Sequence, residues 1–132
     1  MAQYILAYLA TAFVFLAIDV VWLKWIARRF YAAELAGLLR EKPFLGVAAA
    51  FYCVYMLGVV VFAVAPALAA GSAWMAFGYG GMFGLCAYAT YDLTNYATLR
   101  NWPLSVSLVD TAWGAALTGV SATAGYLAVA PV

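Results

Sequence analysis

The sequence predicts an all-α membrane protein: a four-transmembrane-helix bundle with a short interfacial helix in its first cytoplasmic loop. Three observations lead there. Of the 132 residues, 70% are hydrophobic and only 8% are charged, whereas a soluble domain is near half apolar and about a quarter charged. Four apolar runs each exceed the ~20 helical residues that cross a hydrocarbon core of ~30 Å. None of them alternates in polarity as a barrel strand would.

The first run covers about residues 4–27 and is broken only by Asp19 and Lys24. Its length, the lack of a basic residue before it, and the presence of Asp19 and Trp22 set it apart from a removable signal peptide. The second run, about 44–70, carries no charge. The third, about 74–99, contains Asp92, and the fourth, about 104–130, contains Asp110. Glu41-Lys42-Pro43, Ala70-Gly71-Ser72 and Arg100-Asn101-Trp102-Pro103 punctuate the gaps, with Pro or Gly where helices begin or end. Residues 1–132 thus read as a single transmembrane domain. Between the first two runs, residues 30–43 read as a short amphipathic helix lying flat at the interface, or equally as a plain extension of the first helix. Tyr31, Leu35, Leu38 and Leu39 form its apolar stripe, with Glu34, Arg40 and Glu41 toward water.

Orientation follows from the six basic residues. Lys24, Arg28, Arg29, Arg40 and Lys42 flank or fill the first loop, and Arg100 opens the third. The positive-inside rule makes these two loops cytoplasmic and puts both termini outside an inner (plasma) membrane. Trp25, Tyr31, Trp74 and Trp102 sit near predicted helix ends, where aromatic belts form. The net charge of +1 says nothing about partners, but no basic surface is available for nucleic acid. The absence of histidine removes histidine-ligated haem, copper and zinc sites and histidine-based triads. No metal, cofactor or catalytic residue is expected. Cys53 and Cys86, in different spans and at different depths, read as buried, reduced thiols.

The chemistry concentrates in three aspartates. A mid-membrane carboxylate costs about 3 kcal/mol on insertion scales and so calls for a partner or a function. Asp19 lies nine positions before Arg28, Asp92 eight before Arg100, and Asp110 seven after Pro103. At 1.5 Å per residue, all three lie ~10–14 Å from the cytoplasmic helix ends. Asp-x-x-Trp occurs twice, as Asp19–Trp22 and Asp110–Trp113, and Asn95 stands three residues after Asp92. Each aspartate is thus followed by a hydrogen-bond donor on its own helix face. Tyr88 and Tyr91 lie on the approach to Asp92. The candidate binding residues are Asp19, Trp22, Tyr88, Tyr91, Asp92, Asn95, Asp110 and Trp113. The alternative is that the carboxylates only bond the helices together. Gly80 and Gly84, and the stripe Gly114, Thr118, Ser121 and Gly125, read as close-packing surfaces.

The segments Ala87-Tyr88-Ala89-Thr90-Tyr91-Asp92-Leu93-Thr94-Asn95, Trp102-Pro103-Leu104 and Val109-Asp110-Thr111-Ala112-Trp113-Gly114, with the opening Phe15-Leu16-Ala17-Ile18-Asp19 and Trp22-Leu23, resemble a bacterial membrane family catalogued as domain of unknown function 2177. The resemblance spans the whole chain. It implies a small four-span inner-membrane protein and names no reaction.

Three functions follow as expectations. The first is binding or transport of a small molecule, a lipid, a proton or a cation at the aspartate layer, with a homodimer to complete a transporter. The second is an accessory or assembly subunit of a larger membrane complex. The third is a lipid-modifying enzyme using the acids for proton transfer, ranked last because no nucleophile is evident.

Overall fold

A computed structural model describes residues 1–131. The described residues are all-helical, without strands. Helix α1 spans Ala2–Ile26 and α2 Arg28–Glu34; α3 spans Leu45–Ala70, α4 Ala73–Thr98 and α5 Leu104–Val129. The long helices start and end within two residues of the expected bounds. Pro and Gly explain this accuracy. Gly71 closes α3 in the left-handed region at φ 66°, a conformation that costs a side chain ~1–2 kcal/mol. The next residue, Ser72, caps α4 by accepting the Met75 N–H at 3.2 Å.

Two stretches widen to π-helical turns, Trp22–Ile26 at the end of α1 and Val60–Val64 within α3. The second has a local cause. Pro66 lacks an N–H, and its ring crowds the carbonyl four residues back, at Phe62. The helix relaxes just upstream, and the Ala65 N–H bonds to the Val60 carbonyl instead.

The long helices pack each against the next in the chain, and α5 closes back on α1. The closest pairing is α4 with α5. A methyl group added at Gly80 would meet the Ala122 side chain, and one at Gly84 would collide with the Gly114 carbonyl and Thr118. On the other side of α5, a methyl at Gly125 would collide with Thr11 of α1. Small residues therefore let the backbones touch. Where α3 meets α5, the Tyr55 and Thr118 hydroxyls bond at 2.8 Å.

Polarity runs inside out. Thr11, Asp19, Asp92, Ser107, Thr118 and Ser121 are buried, while Leu6, Leu9, Phe13, Val54, Phe62, Met82, Leu108 and Leu127 face outward. A soluble monomer rarely exposes a contiguous apolar surface of more than a few hundred Å². By length and composition, α1 and α3 are apolar enough to cross a membrane. Helices α4 and α5 match them at 26 residues each. Their Gly, Ser, Thr and Asp residues dilute the apolar signal, and several of these lie in the α4–α5 seam.

Several expectations are corrected. The first-loop helix ends at Glu34, not near Pro43, because Gly37 turns the chain at φ 84°. Tyr31 and Leu35 of the expected stripe pack inward with Phe30, Trp102 and Val106, but Leu38 and Leu39 are exposed. The α2 helix is strapped down as well: Glu34 accepts the Ser105 hydroxyl at 2.9 Å. Trp102 is no belt residue. It is buried, and its indole N–H donates to Ser107 Oγ at 3.1 Å. Trp25 and Trp74 are outward-facing, as a belt requires. Cys53 and Cys86 are free thiols, but they face outward rather than into the core, because Tyr52 and Tyr55 take the inward positions beside Cys53.

Candidate functional site

The two Asp-x-x-Trp repeats sit on α1 and α5, which pack antiparallel. Antiparallel packing makes a three-residue step reciprocal, so each tryptophan is linked to the other repeat's aspartate, Trp113 directly and Trp22 through Tyr31. Trp113 Nε1 donates to Asp19 Oδ1 at 3.3 Å. Trp22 Nε1 donates to the Tyr31 hydroxyl at 3.3 Å, and Tyr31 donates in turn to Asp110 Oδ1 at 2.9 Å. The two indoles stack between these bonds, with centroids 4.2 Å apart and planes 10° apart.

Asp19 is the better satisfied carboxyl. Its second oxygen accepts the Tyr52 hydroxyl of α3 at 2.9 Å. Both oxygens therefore bond to other helices, and the side chain is only 7% exposed. It joins α1, α3 and α5 at one point, as a structural bond would.

Asp92 and Asp110 are arranged differently. Their carboxyl groups lie near each other at the α4–α5 seam, in the wall of one cleft. Asp92 is fully buried. Its backbone carbonyl accepts the Ser107 hydroxyl at 3.0 Å, which pins the seam. Thr111 Oγ1 approaches Asp92 Oδ2 at 3.5 Å, and Oδ1 has no donor among the described residues. Carboxylates only accept hydrogen bonds, so this one oxygen of Asp92 is left without a donor, and a proton or an ammonium group would supply one. Asp19 interacts with Asp110 only at longer range. The described residues contain no group of three or more acidic, Cys or His side chains placed to hold a metal ion. The three carboxyls therefore do not converge on one point: two form a pair and the third stands apart.

Two clefts reach this pair. One, of about 470 Å³, opens beneath α2. Asp92 and Asp110 line it, with apolar walls from Leu23, Leu35, Trp102 and Val106 and the guanidinium-bearing Arg28. The other, of about 370 Å³, is lined by Phe51, Ala87, Tyr88, Tyr91 and Asp110. Tyr91 and Asp110 line both clefts and form the wall between them. Tyr88 is held in place by its ring, which lies flush against the Gly114 backbone; a methyl there would collide with it. Asn95 does not reach a carboxylate. It contacts Tyr91 instead and lines neither cleft, because it lies one turn beyond the pair toward the end of α4.

Sequence reasoning missed Tyr31, Arg28 and Phe51. Tyr31 read as a stripe and belt residue rather than a site residue, because it reaches Asp110 only once α2 folds back over the end of α5. Burial first, and then the neighbouring Asp110 carboxyl, push the Tyr31 phenol above the ordinary tyrosine range. A raised value leaves the O–H donor in place at neutral pH. The stabilisation it gives is complete below the unfolded tyrosine value of ~10 and is lost as the pH rises through the higher folded value. Tyr31→Phe removes this donor, and a hydrogen bond of this kind contributes ~0.5–1.5 kcal/mol. Amide exchange across Arg28–Glu34 is expected to quicken by up to about tenfold while α4 and α5 exchange as before; an unchanged rate would show that the strap does not hold α2.

No curated protein and no solved structure matches the chain. A sequence profile described as "predicted membrane protein", domain of unknown function 2177, matches residues 4–127. Its span takes in Asp19, the carboxyl pair, both clefts and all but the ends of the fold. The chain belongs to that family of membrane proteins.

Proposed function

We propose that this chain is a four-helix bundle of the bacterial inner membrane that binds the polar end of a lipid or other small amphiphile at the Asp92–Asp110 pair. In this reading α1, α3, α4 and α5 all cross the bilayer, and residues 1–132 form one transmembrane domain. The first and third loops face the cytoplasm, both termini lie outside, and α2 rests at the cytoplasmic interface. The matched lengths of the four helices and their apolar outward faces support the four crossings. The basic residues of the first and third loops support the orientation.

The observation that carries the binding role is the state of Asp92: fully buried, with one oxygen lacking a donor, beside a second carboxyl in the wall of an open cleft. A buried unpaired acceptor costs ~1–3 kcal/mol, a cost that a bound donor removes. The mostly apolar walls suit an acyl chain or other greasy body, and Arg28 suits an anionic group beside the ammonium, as in a zwitterionic headgroup. Membrane lipid is the expected partner. A homodimer or a larger complex is compatible with the apolar outer faces but has no specific contact in its favour.

The test compares wild type with Asp92→Asn and Asp110→Asn, purified in mild detergent and analysed by native mass spectrometry. Wild type is expected to retain a bound lipid, and each variant to lose most of it while staying folded. Equal retention in all three proteins contradicts the binding role, and a stoichiometric protein partner in its place favours an accessory subunit.

A further inference from the structure

The cleft between α3 and α4 differs in chemistry from the one beneath α2. Three of its five lining residues are aromatic, Phe51, Tyr88 and Tyr91, and a fourth is Asp110. The rings come from two helices and the carboxyl from a third. Phe51 and Tyr91 are about half exposed, at 51% and 56%, so the cleft opens sideways between the helices. Tyr88 is fixed against Gly114, and Phe51 stacks on Tyr55 with centroids 5.4 Å apart and planes 19° apart. The rings are therefore held in place before any ligand arrives.

A primary ammonium has three N–H donors to satisfy. This cleft offers it one carboxyl and phenolic oxygens, and otherwise ring carbon. A methylated ammonium carries the same positive charge on an apolar shell, which the faces of aromatic rings attract. We propose that Phe51, Tyr88, Tyr91 and Asp110 form an aromatic cage for a methylated ammonium group, with Asp110 as counter-charge. The proposal rests on the reading of Asp110 as a site carboxyl and deepens it by naming the ligand class. The two sides of Asp110 then divide the work: N–H donors suit the Asp92 side, and methylated ammonium suits the aromatic side.

The group has two possible sources, a phosphatidylcholine-type headgroup and a free choline-like solute. The experiment has an arm for each. In nanodiscs containing equal parts phosphatidylcholine and phosphatidylethanolamine, native mass spectrometry reads which lipid the chain keeps on release. In nanodiscs of phosphatidylglycerol, saturation-transfer NMR compares free choline with ethanolamine. Wild type should prefer the methylated ligand in one arm by about tenfold, the scale of a desolvated cation–π contact. The double variant Phe51→Leu with Tyr91→Leu should bring the preference to near parity, and the conservative Phe51→Tyr should keep it.

A preference in the lipid arm that the rings control supports the cage and assigns it a lipid. The same result in the choline arm alone supports it and assigns it a solute. No preference in either arm, or a preference that survives loss of the rings, overturns it. In that case lipid retention that still depends on Asp92 leaves the carboxyl site standing, and retention independent of Asp92 removes that site instead.

Discussion

Gly84→Val is expected to be the most damaging single substitution in the molecule. A first methyl at Gly84 would already occupy the space of the Gly114 carbonyl and the Thr118 side chain, and neither can yield: one is helix backbone, and the other is held by its bond to Tyr55 at 2.8 Å. Helices α4 and α5 must separate, breaking contacts along the seam. Overpacking a well-filled interior typically costs ~1–3 kcal/mol and sometimes more, and a displaced seam also disturbs the Asp92–Asp110 pair. The expected result is a loss of at least ~3 kcal/mol in reversible unfolding in mixed micelles, together with loss of bound ligand. Gly78→Ala on the same helix is the control, since a methyl there meets nothing within 4 Å. It should be neutral or stabilise by up to ~1 kcal/mol through helix propensity. Similar effects at the two positions would show that the seam is not closely packed.

Asp19→Leu is the second large effect, and it separates structure from binding. The change leaves the Tyr52 hydroxyl and the Trp113 indole N–H without an acceptor inside the bundle. Two stranded donors at ~1–3 kcal/mol each put the expected loss at roughly 2–6 kcal/mol, and the tie between α1, α3 and α5 goes with them. Asp19→Asn keeps an acceptor oxygen and is expected to recover about half of that loss. Asp92→Asn should differ in kind. Oδ1 of Asp92 has no donor to strand, so its unfolding free energy should change by less than ~1 kcal/mol while ligand retention falls. If Asp19 and Asp92 variants lost stability in equal measure, the division between them would be wrong.

The helices were legible in the sequence because two strong signals agree. Uninterrupted apolar runs set their lengths, and Gly71, Ser72 and Pro103 mark where the backbone cannot continue. The seam was legible as well, since Gly84 and Gly114 each lie on a small-residue stripe. Depth along each helix was readable from the count of residues to the loop, which placed all three aspartates in one half of the bundle. Depth does not fix the direction around the axis. That direction sets Asp19 toward Tyr52 and Trp113 and turns Asp92 toward Asp110. The paired Asp-x-x-Trp repeats were visible, but their crossed bonding depends on α1 and α5 running antiparallel side by side. Tyr31 and Arg28 were beyond reach, since both enter the site only because α2 folds back over α5. Phe51 read as one apolar residue among many in an uncharged helix, and only the tertiary gap beside Tyr88 and Tyr91 distinguishes it.

The most direct measurement is the labelling pattern of an apolar carbodiimide, which attacks carboxyl groups it can reach from the membrane phase, mapped by peptide mass spectrometry on the chain in nanodiscs. The account predicts adducts on Asp110, which lines both open clefts, suppressed by bound ligand, and none on Asp19, whose two oxygens are engaged and enclosed. Labelling of Asp19 as fast as Asp110, or an Asp110 that stays unmodified, contradicts it.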